Sequence, residues 1–176
     1  EVIAKITRLK QICVDERTMT GDVDTLEGAK VDAALEIIAG TANKTLVFSQ
    51  YARVVNGFAG ALRKAGVSCV AYTGALSEGQ KDAAVSTFWN SPTCRIFVAT
   101  IRSGGVGLNL QVADLDIFLD QDWNPQKNNQ ARDRHWRLGD EGMHPKLSIT
   151  ILAENTIEER IARLLEGKKH IFEQVI

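Results

Sequence analysis

Apolar residues along this chain follow two spacings, one typical of buried strands and one typical of amphipathic helices. Short, nearly continuous apolar runs predict strands at residues 45–48, 67–72, 95–100, 115–119 and 147–152. Apolar residues recur every three or four positions at 1–13, 29–39, 51–65, 77–89 and 156–169, which predicts helices there. Because single helices separate the strands, the pattern predicts an α/β fold in three layers, with a mainly parallel central sheet and helices on both faces.

One further predicted helix is polar on nearly all sides. Asn124 is placed as its N-cap and Gly139 as the residue that ends it. Between them, Gln130, Arg134 and Arg137 have the spacing i, i+4 and i+7, which puts an amide and two guanidinium groups on one helix face. Such a helix usually bridges elements or faces a partner, and a solvated charged surface is the ordinary alternative.

Composition narrows the class of protein without indicating a function. A chain of 176 residues with 44% hydrophobic residues is long enough for one domain with a sizeable core. Its formal net charge of −1 means that any nucleic-acid binding needs a local basic patch. No apolar run approaches the roughly 20 residues of a membrane span, so we expect no membrane partner. The histidines and cysteines lack metal-ligand spacing, so we expect no metal site in this chain.

The domain organisation and cellular location are also expectations from the sequence. Residues 1–28 predict a leading helix and a mobile connection, and residues 29–176 predict the main domain. The scattered Cys13, Cys69 and Cys94 are typical of reduced thiols in an intracellular protein, nuclear in a eukaryote and cytoplasmic in a bacterium or virus. The N-terminus has neither Met nor a signal-peptide pattern, so we expect a monomeric fragment of a longer protein.

Polar residues follow the carboxyl ends of the predicted strands, where open α/β sheets bind ligands. Ser49-Gln50 follows the first strand, Thr73-Gly74 the second, a glycine-rich loop the third and residues 120–124 the fourth. This set of hydroxyl, amide, backbone NH and guanidinium groups suits phosphate or a nucleic-acid backbone better than an apolar metabolite.

The glycine-rich loop does not match a dinucleotide-binding fingerprint, because Leu110 stands where the third glycine would be. A tight turn without any ligand stays open as an interpretation. Arg102 and Ser103, next to these glycines, favour contact with a phosphate backbone.

Five sequence motifs, in order and at compatible spacing, carry a resemblance to a known family. They are Thr45–Tyr51 (TLVFSQY), Ser103–Leu110 (SGGVGLNL), Asp122–Pro125 (DWNP), Gln130–Gly139 (QARDRHWRLG) and Thr156–Ile161 (TIEERI). Together they strongly resemble the second, C-terminal RecA-like lobe of Swi/Snf-type ATP-dependent DNA translocases of helicase superfamily two. The resemblance covers essentially the whole chain.

The resemblance implies half of a motor. ATP with Mg²⁺ would lie between two RecA-like lobes, and the first lobe would carry the P-loop lysine and the acidic Mg²⁺ motif. This chain has neither motif, so we expect no ATP hydrolysis by the chain alone. Its implied partners are an N-terminal RecA-like lobe of the same protein and double-stranded DNA. Its C-terminal helix would brace the lobes or pack on the sheet.

The resemblance also implies residue roles. Arg134 and Arg137 would be arginine fingers for ATP, with Gln130 beside them. The nucleotide would also contact Gly105, Gly107 and Asn109. The DNA backbone would contact Ser49, Gln50, Thr73, Gly74, Arg102, Ser103, Gly104 and Trp123.

Two departures from the family pattern adjoin the fingers. Trp136 stands where the family often has His, and Asp140 stands where it often has Gln; both put the coupling around the site in doubt. A nonenzymatic nucleic-acid-binding or interaction module with the same fold and an RNA-directed helicase lobe of superfamily two stay open as alternatives.

Overall fold

Five parallel strands form the central sheet of the computed structural model, which describes residues 2–21, 23–104, 108–134 and 146–173. The strands are β1 (Thr45–Ser49), β2 (Cys69–Tyr72), β3 (Ile96–Thr100), β4 (Leu115–Phe118) and β5 (Leu147–Thr150). They lie in the order β2-β3-β1-β4-β5. All five predicted strands and the parallel sheet are thus confirmed.

The central strands are buried on both faces, as their continuous apolar sequences predict. Every residue of β1, β3 and β4 is buried, whereas Leu147 and Ser148 of the edge strand β5 are exposed. Thr45 of β1 pairs with Ile96 and Leu115 on its two neighbours. The strands therefore end nearly in line, and the loops that follow them share one edge of the sheet.

Helices cover both faces of this sheet. They are α1 (Val2–Val14), α2 (Ala29–Ala39), α3 (Ala52–Lys64), α4 (Glu78–Asn90), α5 (Ile101–Gly104), α6 (Pro125–Arg132) and α7 (Ile157–Glu173). One core cluster joins α2 and α3 to Val47 and Val98, and the other joins α4 and α6 to Phe48 and Phe97. The three-layer prediction is confirmed. No helix in the described ranges has both the length and the apolar character needed to cross a membrane.

The connection between α1 and α2 packs against α3 through its described residues, and its predicted mobility stays a prediction. Asp15 caps a 3₁₀ turn at Glu16–Met19 and accepts a hydrogen bond of 3.0 Å from the Glu27 amide. Leu26 is 1% exposed, and its amide donates to the Gly57 carbonyl of α3 at 3.0 Å. The acidic composition of this stretch does not indicate that Leu26 is buried.

A substitution at Gly60 of α3 tests this packing, because the connection lies directly against the Gly60 backbone. A Cβ atom there would overlap the carbonyl oxygen of Asp24. We expect Gly60→Ala to lower the free energy of unfolding by about 1–3 kcal/mol, the usual cost of overpacking. Urea unfolding of the chain measures this change.

The matched control is Gly167→Ala in the middle of α7, where a Cβ atom would meet nothing within 4 Å. We expect it to raise the free energy of unfolding by about 0.5–1 kcal/mol, because alanine favours a helix more than glycine does. A Gly60→Ala variant as stable as this control would show that the connection simply moves aside.

Candidate functional site

The loops after β1 and β4 are joined by a buried carboxylate. The hydroxyl of Ser49 donates to Asp120, and the Gln50 amide donates to the same carboxylate at 2.9 Å. The Tyr51 amide in turn donates to the Ser49 hydroxyl at 3.1 Å. Because Asp120 is 1% exposed, these hydrogen bonds fix where the chain leaves the sheet.

Asp120 and Asp122, the two carboxylates in the loop after β4, have pKa values that are shifted in opposite directions. Burial raises the pKa of Asp120, although the Lys10 charge and the Ser49 hydroxyl oppose it. Burial would also raise the pKa of Asp122, but hydrogen bonds from the Asn124 amide and the Gln50 side chain outweigh it, so that pKa is lowered. The hydrogen bonds of the loop therefore favour the charged form of Asp122.

Hydrogen bonds to Asp122 also hold the turn that leads into α6. Asp122 accepts a hydrogen bond of 2.9 Å from the Asn124 amide, and Asn124 caps α6 as predicted. The buried side chain of Asn128 bonds back to both the amide and the carbonyl of Asp122, at 2.8 and 2.9 Å. Trp123, half-buried, is thus presented from a loop with fixed ends.

Two of the residues predicted to contact DNA have buried side chains, and their contacts with DNA stay predictions. Ser49 is completely buried, and its hydroxyl is engaged by Asp120. Thr73 is 4% exposed, which leaves little of its surface for a ligand. Their neighbours differ: Gln50 is half-buried and Gly74 is exposed with open space around it. Each buried hydroxyl residue therefore supports the more exposed residue that follows it.

The segment after β3 begins with the short helix α5. Its Arg102 is exposed, whereas the Ser103 hydroxyl turns inward to the Thr100 hydroxyl and to the Tyr72 carbonyl at 3.3 Å. Ser103 thus ties the ends of β2 and β3 together, and Gly104 ends the described helix. The predicted nucleotide contacts Gly105 and Gly107 lie outside the described residues.

The described chain resumes at Leu108 with a hydrogen-bonded turn. Asn109 is exposed, and its side-chain oxygen accepts from the Gln111 amide at 3.2 Å. The Asn109 carbonyl accepts from the indole of Trp89 at 2.8 Å. These contacts give Asn109 a defined position on the surface.

The polar helix is shorter than predicted. It ends at Arg132, with Asp133 as its C-cap, so Arg134 is not part of a helix face shared with Gln130. The carbonyl of Arg134 accepts a hydrogen bond of 3.0 Å from the Leu110 amide, a tertiary contact that the helical pattern does not contain. Gln130 is exposed and Arg134 is half-buried. Arg137, Trp136, Gly139 and Asp140 lie outside the described residues.

The sequence interpretation also missed residues that organise this edge. Lys10 of α1 is 1% exposed, and its amine donates to the Gln50 side chain and to the Gln121 carbonyl. Arg132 stacks over Phe118 at 4.7 Å and donates to Ser148 at 3.0 Å. Lysine and arginine on polar stretches usually lie at the surface, so nothing in the pattern marks these two as packed.

Within the residues that the structure describes, no group of three or more His, Cys, Asp or Glu side chains is arranged to hold a metal ion.

Comparison with known proteins identifies the fold and the family. The helicase conserved C-terminal domain family matches residues 29–139. An uncharacterized ATP-dependent helicase of Schizosaccharomyces pombe is 34% identical over 134 residues, which cover 76% of this chain and 13% of that protein. The putative ATP-dependent helicase/translocase YwqA of Bacillus subtilis is 33% identical over 186 residues, which cover 99% of this chain and 20% of that protein.

A solved structure gives the same result. The SWI2/SNF2 ATPase core of Sulfolobus solfataricus in complex with double-stranded DNA matches with a TM-score of 0.76 at 26% identity, over 99% of this chain and 37% of that chain. The chain therefore belongs to the helicase conserved C-terminal domain family. Within it, the chain is a RecA-like C-terminal lobe of the Swi/Snf type, as the sequence predicts. It spans between 13% and 20% of the length of the two curated relatives above.

The buried role of Ser49 can be tested through stability. We expect Ser49→Ala to lower the free energy of unfolding by about 1–3 kcal/mol, because Asp120 loses a hydrogen-bond donor in the interior. Urea unfolding measures the change, with the exposed helix position Ser86→Ala as the control that loses little. Unchanged stability in Ser49→Ala would contradict the supporting role.

Proposed function

We propose that this chain is the second lobe of an ATP-dependent double-stranded-DNA translocase of the chromatin-remodeller type. In this proposal Arg134 and Arg137 act as fingers toward ATP that is held mainly by an N-terminal RecA-like lobe, with Gln130 beside them. The first lobe also holds the Mg²⁺, and this lobe grips the DNA backbone. The setting is intracellular.

The observation that carries the proposal is the hydrogen bond between the Leu110 amide and the Arg134 carbonyl, at 3.0 Å. It joins the segment that follows the glycine-rich loop to the segment that carries the first finger. In this proposal the amides of the glycine-rich loop and the Arg134 guanidinium meet the same anion. This set of donors fits the phosphate groups of ATP, because a guanidinium stays charged and donates two parallel hydrogen bonds to phosphate oxygens.

The DNA side of the proposal rests on residues that retain surface at the same edge. Gln50, Gly74, Arg102 and Trp123 follow β1, β2, β3 and β4, and each is exposed or half-buried. A backbone-tracking surface needs such donors and cations along several adjacent loops. A solved neighbour of this chain, the Sulfolobus ATPase core, is described in complex with double-stranded DNA, which supports the assignment.

The finger assignment predicts a large loss of turnover. In the protein that carries both lobes, we expect Arg134→Ala to lower DNA-stimulated ATP hydrolysis by roughly 10³-fold or more, the usual contribution of an arginine finger. Phosphate release measures the rate, and the 176-residue chain alone gives the zero reference, because its sequence lacks a P-loop.

The control for this variant is Arg163→Ala on α7, whose side chain is 75% exposed beside Glu159. We expect normal hydrolysis and DNA binding in the control. If Arg134→Ala hydrolyses ATP at the control's rate, or if the chain alone shows DNA-stimulated release, the proposal of a half motor is wrong.

The DNA assignment predicts a change in salt dependence. We expect Arg102→Ala to weaken DNA binding and to reduce the slope of log affinity against log salt by about 1, because one phosphate contact is lost. Fluorescence anisotropy with a DNA duplex at several salt concentrations measures both quantities. Arg63→Ala at the end of α3 is the control with an unchanged slope. An equal slope in both variants would remove Arg102 from the DNA surface.

A further inference from the structure

A lysine from outside the strand-end loops makes contacts with two of them. The Lys10 amine of α1 donates to the Gln50 side-chain oxygen at 3.3 Å and to the Gln121 carbonyl. It also lies 5.4 Å from the centre of the Trp123 ring, within the range of a cation–π interaction. One amine thus contacts the β1 loop and the β4 loop together.

Gln50 is held from two sides by these contacts. Its side-chain oxygen accepts from Lys10, and its backbone amide donates to the Asp120 carboxylate at 2.9 Å. The neighbouring Tyr51 hydroxyl donates to the Thr7 carbonyl of α1 at 3.4 Å. Helix α1 therefore fixes the direction of the β1 loop through two of its own residues.

The Lys10 amine is buried among other charged groups, so its contacts are made with a defined set of partners. Burial lowers the pKa of Lys10, and the carboxylates of Asp120, Glu158 and Asp122 act against this, while Lys30 adds to it. Lys30 is itself paired with Glu158 at 2.5 Å. A buried amine costs free energy unless its donors are used, whereas an apolar side chain of equal length would fill the same space without that cost.

We propose that Lys10 is a positioning residue for DNA binding, which holds Gln50 and Trp123 in the orientation that meets the DNA backbone. This inference rests on the proposed function. It assigns to α1 a part in the DNA surface although Lys10 itself is hidden from DNA. It also means that a displacement of α1 changes the grip on DNA through the positions of Gln50 and Trp123 in the strand-end loops.

The first experiment isolates the positioning effect from function. In the chain with Trp89→Phe and Trp136→Phe, Trp123 is the remaining tryptophan. We expect Lys10→Met to shift its fluorescence emission and to change its quenching by iodide about twofold or more, because the cation above the ring is lost. The exposed Lys64→Met is the control, with an unchanged spectrum.

The second experiment measures the consequence for DNA in the protein that carries both lobes. We expect Lys10→Met to raise the DNA concentration for half-maximal ATPase stimulation roughly five- to tenfold, which corresponds to about 1 to 1.4 kcal/mol of coupling. In a Gln50→Ala, Trp123→Ala background, the same substitution should add no further increase. A full additional increase there would show that Lys10 acts by another route and would overturn the inference.

A second variant distinguishes a loss of DNA positioning from a folding defect. Lys10→Met combined with Asp120→Asn removes two opposing charges together, so no additional unpaired charge remains in the interior. Asp120→Asn alone is its control, and the two should differ in DNA half-saturation as wild type and Lys10→Met do. Equal half-saturation in both overturns the inference.

The two proposals fail in distinguishable ways. An unchanged Trp123 spectrum in Lys10→Met overturns the positioning role whatever the protein does. A changed spectrum in a two-lobe protein whose ATPase does not respond to DNA supports the positioning role and overturns the proposed translocase function.

Discussion

The buried carboxylate of Asp120 is the constraint on which the ligand-facing edge of this lobe depends. It accepts hydrogen bonds from the Ser49 hydroxyl and the Gln50 amide, and so it joins the ends of two adjacent central strands. A buried carboxylate costs free energy unless donors or cations surround it, and here Lys10 and Lys30 provide opposite charge. Helices α1 and α2, which carry these lysines, are thereby bound to the same edge. The loops after β1 and β4 are consequently anchored in the core at Ser49 and Asp120, whereas Gln50 and Trp123 in them keep exposed surface.

The sequence predicted the strands and most helices because strands buried on both faces appear as continuous apolar runs and amphipathic helices as a periodic apolar pattern. Beyond this periodicity the predictions weakened. The polar helix ends at Arg132, and Arg134 beyond it bonds to Leu110, a residue 24 positions away that leaves no local pattern. The connection between α1 and α2 is held by the capping carboxylate of Asp15 and by the buried Leu26, within an otherwise acidic stretch. Tertiary contacts of this kind override propensity and cannot be read from spacing.

The candidate site, like the fold, could be predicted from the sequence only in part. Residue types after the strand ends indicated which edge binds a ligand, because chemistry gathers there in every parallel sheet. The sequence could not distinguish an exposed side chain from a buried one, and Ser49 and Thr73, both predicted to contact DNA, are buried in this lobe. Lys10 was missed for the converse reason, since a lysine on an amphipathic helix is ordinarily solvated. Motifs therefore indicated a candidate site, and the structure shows which of its side chains are buried and which are exposed.

The hydrogen bond between Leu110 and Arg134 has a mechanical consequence. It is a direct backbone link between a segment rich in amide donors and a segment that carries a guanidinium, and neither backbone can shift by more than a fraction of an ångström without straining it. A load applied to one segment is therefore felt by the other without passing through the sheet. In a machine that converts a chemical step into movement, such a short strut shortens the distance over which force must travel.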